Sequence, residues 1–230
     1  EGSKKNLGDK LETLVSKSKD EIFNTTNPVT LNNTYEAIDY DSAGILFNDK
    51  TSCVKVDNVL KNIYDYYQST HPDLKDVLAR IELLGNYAKP TVRFVSDLAL
   101  KSDDTLMQYD ANKNEIQVSR NRINNETVHY VAESFLHEVV HSVTVNTLRG
   151  DSLESKLLNA RIAALYSDYK TRGEDKYGLT SKEEFIAEAF TSSDFQDYLK
   201  TLDSTPKSLW SKFVDFIKNI LGVNISSLDL

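Results

Sequence analysis

Residues 137–141 read His-Glu-Val-Val-His, a run whose residue types and spacing suit metal-dependent hydrolysis. On an α-helix, positions i and i+4 lie one above the other on the same face. His137 and His141 can therefore present imidazole nitrogens to one ion, with Glu138 projecting beside it. Two neutral nitrogen ligands and a carboxylate next to an activated water are the working parts of a zinc hydrolase. The motif takes two of the chain's 4 histidines. His129 lies more than two helical turns upstream of His137, too far to share the ion. His71 precedes Pro72 at a helix break, where a surface or capping role fits better.

Two histidines leave such a site incomplete, because catalytic zinc takes three protein ligands and keeps one position open. No cysteine or histidine follows His141, so the third ligand must be a carboxylate. In the run Ser181-Lys-Glu-Glu-Phe-Ile-Ala-Glu-Ala-Phe190, Glu184 and Glu188 share one helical face. Glu184 is assigned as the third ligand. Glu188, one turn on, is expected to accept the other ring N–H of a ligand histidine, His137, fixing its tautomer. The plainer reading of these acids is a solvated helix start favoured by the helix dipole, and it suits Glu183 best. Phe185, Ile186, Ala189 and Phe190 imply that much of this helix is buried, where a carboxylate without a partner is costly.

The elements that carry these groups follow from periodicity. Leu7, Leu11, Leu14, Val15 and Ile22 predict a half-exposed helix over about 4–23, and the Asn-, Thr- and Asp-rich residues 24–52 read as loop. Val56, Val59, Leu60, Ile63, Tyr64 and Tyr67 form a helical stripe that ends at His71-Pro72. Leu74, Val77, Leu78, Ile81 and Leu84 form another, ending near Gly85. The period then changes: 91–95 and 115–119 are strand candidates, with 109–114 between them having the composition of a hairpin turn. Asn124 or Asn125 is expected to cap the motif helix, which runs to about Leu148 and stops at Gly150. An amphipathic helix from Leu153 to Lys170, a loop over 171–180 and a capping box of Ser181 with Glu184 follow. Thr205-Pro206 opens a last helix with Leu209, Phe213, Val214, Phe216, Ile217 and Leu221 on its apolar side. The fold class is α+β, mainly helical, with a small mixed sheet before the active helix. Residues 1–70 are expected to form an N-terminal helical extension and 71–230 the catalytic domain.

Bulk properties narrow the partners. The 230 residues are 40% hydrophobic and 27% charged, which suits a soluble globular protein with a sizeable core. A net charge of -8 disfavours nucleic acid. The single cysteine, Cys53, excludes an internal disulfide, and no apolar run approaches the roughly 20 residues that span a bilayer. Neither compartment nor oligomeric state follows from the sequence.

Tyr177, then Gly178-Leu179-Thr180, then Glu184-Phe-Ile-Ala-Glu-Ala-Phe190 downstream of the His-Glu-x-x-His run resembles the anthrax lethal factor-type metallopeptidases. The resemblance covers about residues 90–200. It implies a zincin fold, Zn²⁺ held by His137, His141 and Glu184, Glu138 as general base, and Tyr177 donating its hydroxyl to the developing oxyanion. It also implies a protein or peptide substrate lying extended along a sheet edge, taken to be 115–119, so that Ile116, Gln117 and Val118 are the expected substrate-pairing residues. More weakly, residues 184–222 resemble minimal zincin-like domains of phage polyvalent proteins. The rival reading is accordingly a non-catalytic zincin-like structural or partner-binding domain of a phage or mobile-element protein. A structural zinc site fits less well, since such sites usually fill the fourth position with Cys or His.

Overall fold

The computed structural model describes residues 42–47, 52–70, 84–85 and 88–202. The helices expected over 4–23 and from Thr205 lie outside these residues, as does most of the one ending near Gly85. The described chain is α+β and mainly helical, with one four-stranded mixed sheet. Its elements are α1 (Ser42–Phe47), β1 (Cys53–Lys55), α2 (Val56–Thr70), β2 (Thr91–Val95), β3 (Met107–Asp110), β4 (Glu115–Ser119), α3 (Arg120–Ile123), α4 (Val128–Arg149), α5 (Leu153–Arg172), α6 (Lys182–Thr191) and α7 (Ser193–Leu202). Single turns of 3₁₀-helix stand at Asp97–Ala99 and Tyr177–Leu179.

The sheet order is β1-β2-β4-β3. β2 and β4 run parallel, with Val92 opposite Ile116 and Phe94 opposite Val118, so they are not the two arms of a hairpin. The hairpin instead joins β3 to β4, with Asp110 opposite Glu115. Tyr109 and Asp110 are therefore strand residues, and the turn closes through Asn114 at φ 51, a left-handed conformation that asparagine tolerates. β4, expected at an edge, is central and buried along its whole length. Ile116 and Val118 point into the core. Gln117 is on the opposite face, where its side-chain oxygen accepts from Gln108 Nε2 at 2.8 Å. None of the three can pair with a substrate strand. The edge falls to β3. Leu106 O accepts from Ser119 N at 2.9 Å, so by antiparallel alternation Gln108 and Asp110 also bond inward, while Met107 and Tyr109 direct their backbone groups outward.

One face of the sheet is apolar, through Val54, Val92, Met107, Ile116 and Val118, and the helices cover it. Phe47 is the bridge. Its ring packs edge-on against Phe94 of β2, with centroids 5.6 Å apart, and against Phe135 of α4 at 5.5 Å. Residues 42–47, read as loop, are thus helical because Ala43, Leu46 and Phe47 are fully buried, packing that outweighs local propensity. Likewise, β1 pairs with β2 and the stripe of α2 enters the same core. The division expected at residue 70 therefore cuts through the described core rather than beside it. Asn124 caps α1 instead of α4, its Oδ1 accepting from Ala43 N at 3.0 Å. Thr127 caps α4 by accepting from Tyr130 N at 3.3 Å. α7, which the sequence reading did not anticipate, closes the fold behind α6 with Phe195 and Leu199 buried.

Phe47 ties sheet to helix, so Phe47→Ala should cost about 3–5 kcal/mol of unfolding free energy, the usual penalty for emptying a buried aromatic site. Urea denaturation monitored by circular dichroism would measure it. A loss below about 1 kcal/mol would mean that α1 does not support the core.

Candidate metal centre

α4 is buried around most of its circumference by Val131, Ala132, Phe135, Leu136, Val139 and Val140. The remaining stripe carries Tyr130, Glu133, Ser134, His137 and Glu138 into a cleft of about 470 Å³. That spacing places His137 and His141 together, their Nε2 atoms 3.0 Å apart. Glu184 arrives from α6. Ser181 caps that helix by accepting from Glu184 N at 3.1 Å, which fixes the first turn on which the carboxylate rides. Glu184 Oε2 lies 2.9 Å from His137 Nε2 and 3.4 Å from His141 Nε2.

Three ligand atoms 2.9, 3.0 and 3.4 Å apart bracket the roughly 3.3 Å edge of a tetrahedron with metal–ligand bonds of about 2.0–2.1 Å. Two imidazoles and a carboxylate also form a donor set suited to a first-row divalent ion. His137, His141 and Glu184 could therefore hold a metal ion. Glu188 Oε1 sits 3.2 Å from His137 Nδ1, one turn beyond Glu184, and orients the ring as expected.

Electrostatics follow from this crowding. Burial alone would strip His137 of its charge, but hydrogen bonds to Glu184 and Glu188 outweigh it and push the pKa up to about 10. For Glu184, burial raises the pKa, yet hydrogen bonds from the two histidines hold it well below the usual carboxylate range. Glu138 is raised by burial, an effect opposed by both histidines and by the Tyr109 backbone N–H. Glu133, one turn before His137, is pushed up to about 7 by burial, then by Asp194 and Glu188.

Tyr177 stands on the 3₁₀ turn before α6, its ring 6.2 Å from that of His137. Tyr177 is partly exposed, yet desolvation of the part that faces the site, together with the nearby Glu184, Glu138 and Glu188 carboxylates, raises its pKa and keeps the phenol protonated. Gly178 makes this turn possible: a Cβ there would lie 2.5 Å from the Phe195 ring. Thr180 Oγ1 donates to Tyr177 O at 2.6 Å and Tyr166 OH donates to Leu179 O at 2.9 Å, locking the turn. On the opposite wall, Arg122 gathers the loop after β2. Its Nη1 donates to Ser102 O at 2.6 Å and Thr105 O at 2.8 Å, and its Nη2 donates to Asp97 O at 3.2 Å.

The structure thus brings His137, Glu138, His141, Tyr177, Glu184 and Glu188 together and leaves Ile116, Gln117 and Val118 apart. His129 is away from the ion site, as expected, hydrogen-bonded through Nδ1 to Tyr67 OH at 2.6 Å. Sequence reading missed Tyr130, Glu133 and Ser134 as cleft residues, although their i−7, i−4 and i−3 spacing from His137 was a usable signal. It also missed Leu106 and Met107, for which no local signal existed. No family model, curated protein or solved structure matches the chain.

An incoming cation must displace the proton on His137, since it binds the neutral ring. Acid therefore strengthens the competitor. Metal affinity should weaken by up to about tenfold per pH unit as pH falls below the His137 value. Titration calorimetry at about pH 7.5 in buffers of different ionisation enthalpy should find about one proton released per ion bound. Metal binding without proton release would contradict this assignment.

Proposed function

We propose that the chain is a zinc-dependent endopeptidase. The observation that carries this reading is the convergence of five groups. Two imidazoles and Glu184 are spaced for one ion, Glu138 lies beside them, and a protonated Tyr177 phenol faces them. Zinc, when bound, would supply Lewis-acid activation of a water for attack on a carbonyl. Glu138, with its pKa raised by burial, suits a group that takes the water's proton and returns it to the leaving amine. Tyr177 keeps its proton and can donate to the tetrahedral oxyanion. Glu188 holds His137 at Nδ1, which leaves Nε2 and the Glu184 carboxylate facing each other where an ion would sit.

An extended peptide is the substrate form that the cleft favours. β3 and the residue before it border the cleft through Met107 and Leu106, and Met107 turns its backbone groups outward, where a peptide strand could add to the sheet. Such pairing would hold the main chain without reading its sequence. The proposed substrate edge is accordingly β3, and the resemblance to lethal factor-type peptidases applies to α4, the Tyr177 turn and α6.

The test combines metal analysis with cleavage of a peptide library. The zinc-loaded protein should cleave, and Glu138→Ala should retain zinc while losing about 10²–10⁴-fold in kcat/KM. Bound zinc with no cleavage by the wild type would instead indicate a structural or partner-binding domain. Tyr177→Phe should lower kcat by about 10²-fold with little change in KM, as expected for an oxyanion donor. An unchanged kcat would remove Tyr177 from the mechanism.

A further inference from the structure

Among the described residues, the hydrogen bond that holds the Glu138 carboxylate comes from the main chain. Glu138 Oε2 accepts from the backbone N–H of Tyr109 at 2.7 Å, across from α4 to the edge strand. That donor exists because of strand parity. Tyr109 opposes Ile116 in a non-hydrogen-bonded pair, so its N–H turns away from β4 and toward α4. The sheet spends nothing on this bond. The Tyr109 ring is anchored separately, its hydroxyl donating to Asn114 Oδ1 at 2.9 Å across the hairpin, so the edge is stiff where the bond is made.

We infer that the Tyr109 N–H is a positioning group for Glu138, fixing the rotation of its carboxylate, and that it thereby sets the register of a bound peptide; this rests on the peptidase reading above. With Oε2 tied to the strand, the other carboxylate oxygen is left to take and return the proton. The bond withholds the Tyr109 N–H from any substrate ladder. A peptide adding to β3 must then bond at Met107 and pass its scissile carbonyl beside Glu138, which Tyr109 holds. The strand that binds the substrate and the strand that aims the base are the same element.

Two measurements test this. In the first, amide hydrogen exchange is followed by NMR in the metal-free and zinc-loaded protein. The Tyr109 amide lies on an edge and should exchange rapidly unless Glu138 holds it. It should exchange about tenfold to a hundredfold faster in Glu138→Ala, the worth of a hydrogen bond to a charged group, while buried amides of β4 stay unchanged. In the second, Tyr109→Pro removes the N–H at an edge position where no ladder bond is lost, and Tyr109→Ala removes the ring while keeping the N–H. The proline variant should show kcat at least about tenfold below the alanine variant, with KM within about threefold of it and zinc affinity equal. A raised KM with equal kcat would make the N–H a substrate donor and overturn the inference. Equal exchange of the Tyr109 amide in wild type and Glu138→Ala would overturn it too, even if Tyr109→Pro fails to fold. Should the zinc-loaded wild type cleave no peptide, the peptidase reading fails and the role in turnover falls with it; rapid exchange in a protein that does cleave sinks the clamp alone.

Discussion

The centre depends on the packing of α6 across α4, which presses one carboxylate against two imidazoles. Glu184 Oε2 lies within 3.4 Å of both histidine Nε2 atoms, a density of charge and lone pairs that is costly in a partly buried setting unless a proton or a cation sits among them. Apolar contact supplies the clamp. Phe185, next to Glu184 on α6 and turned to the side of the ligand face, is fully buried. It meets Tyr169 at a centroid distance of 5.5 Å and Phe195 at 6.1 Å. α5 and α7 thus hold α6 in place, and α6 holds Glu184 against the two histidines.

The second wall obeys a different logic. There the sheet edge and the loop after β2 are fixed by backbone bonding rather than by apolar contact. Arg122 draws three carbonyls to one guanidinium, and Ser119 donates to Asp97 at the root of the same loop. Carbonyls bonded in this way do not need water, so the loop can border a cleft without collapsing into it. One side of the site is therefore shaped by packed aromatics and the other by hydrogen-bonded main chain. Glu138 spans the gap between them.

The sequence signalled the parts of the site that lie on single helices. His137, Glu138 and His141 share a face because of helical geometry alone, and Glu184 and Glu188 do so for the same reason. Ser181 and Glu184 were readable as a helix start, and the Oγ to N–H bond is present. Strand pairing was less readable. Residues 115–119 alternate polar and apolar, and the alternation is real: Ile116 and Val118 face the core while Gln117 faces Gln108. Alternation describes two faces, however, and is silent about neighbours. Whether a strand is central or at an edge is decided by what lies beside it, and here β3 took the outer position.

The same division holds for the molecule as a whole. Local spacing by itself picked out the residues that could hold a metal ion, the helices that present them and the α+β class, because these follow from periods of 3.6 and 2 along one chain. Only the tertiary structure decided that β2 and β4 run parallel, that residues 42–47 fold into a helix under Phe94 and Phe135, that Asn124 caps α1, and that Glu138 leans on the backbone of Tyr109. Each of these joins residues that no local repeat connects, from Ala43 to Asn124 and from Tyr109 to Glu138. Their energies come from burial and bonding between distant segments, which no window along the sequence contains.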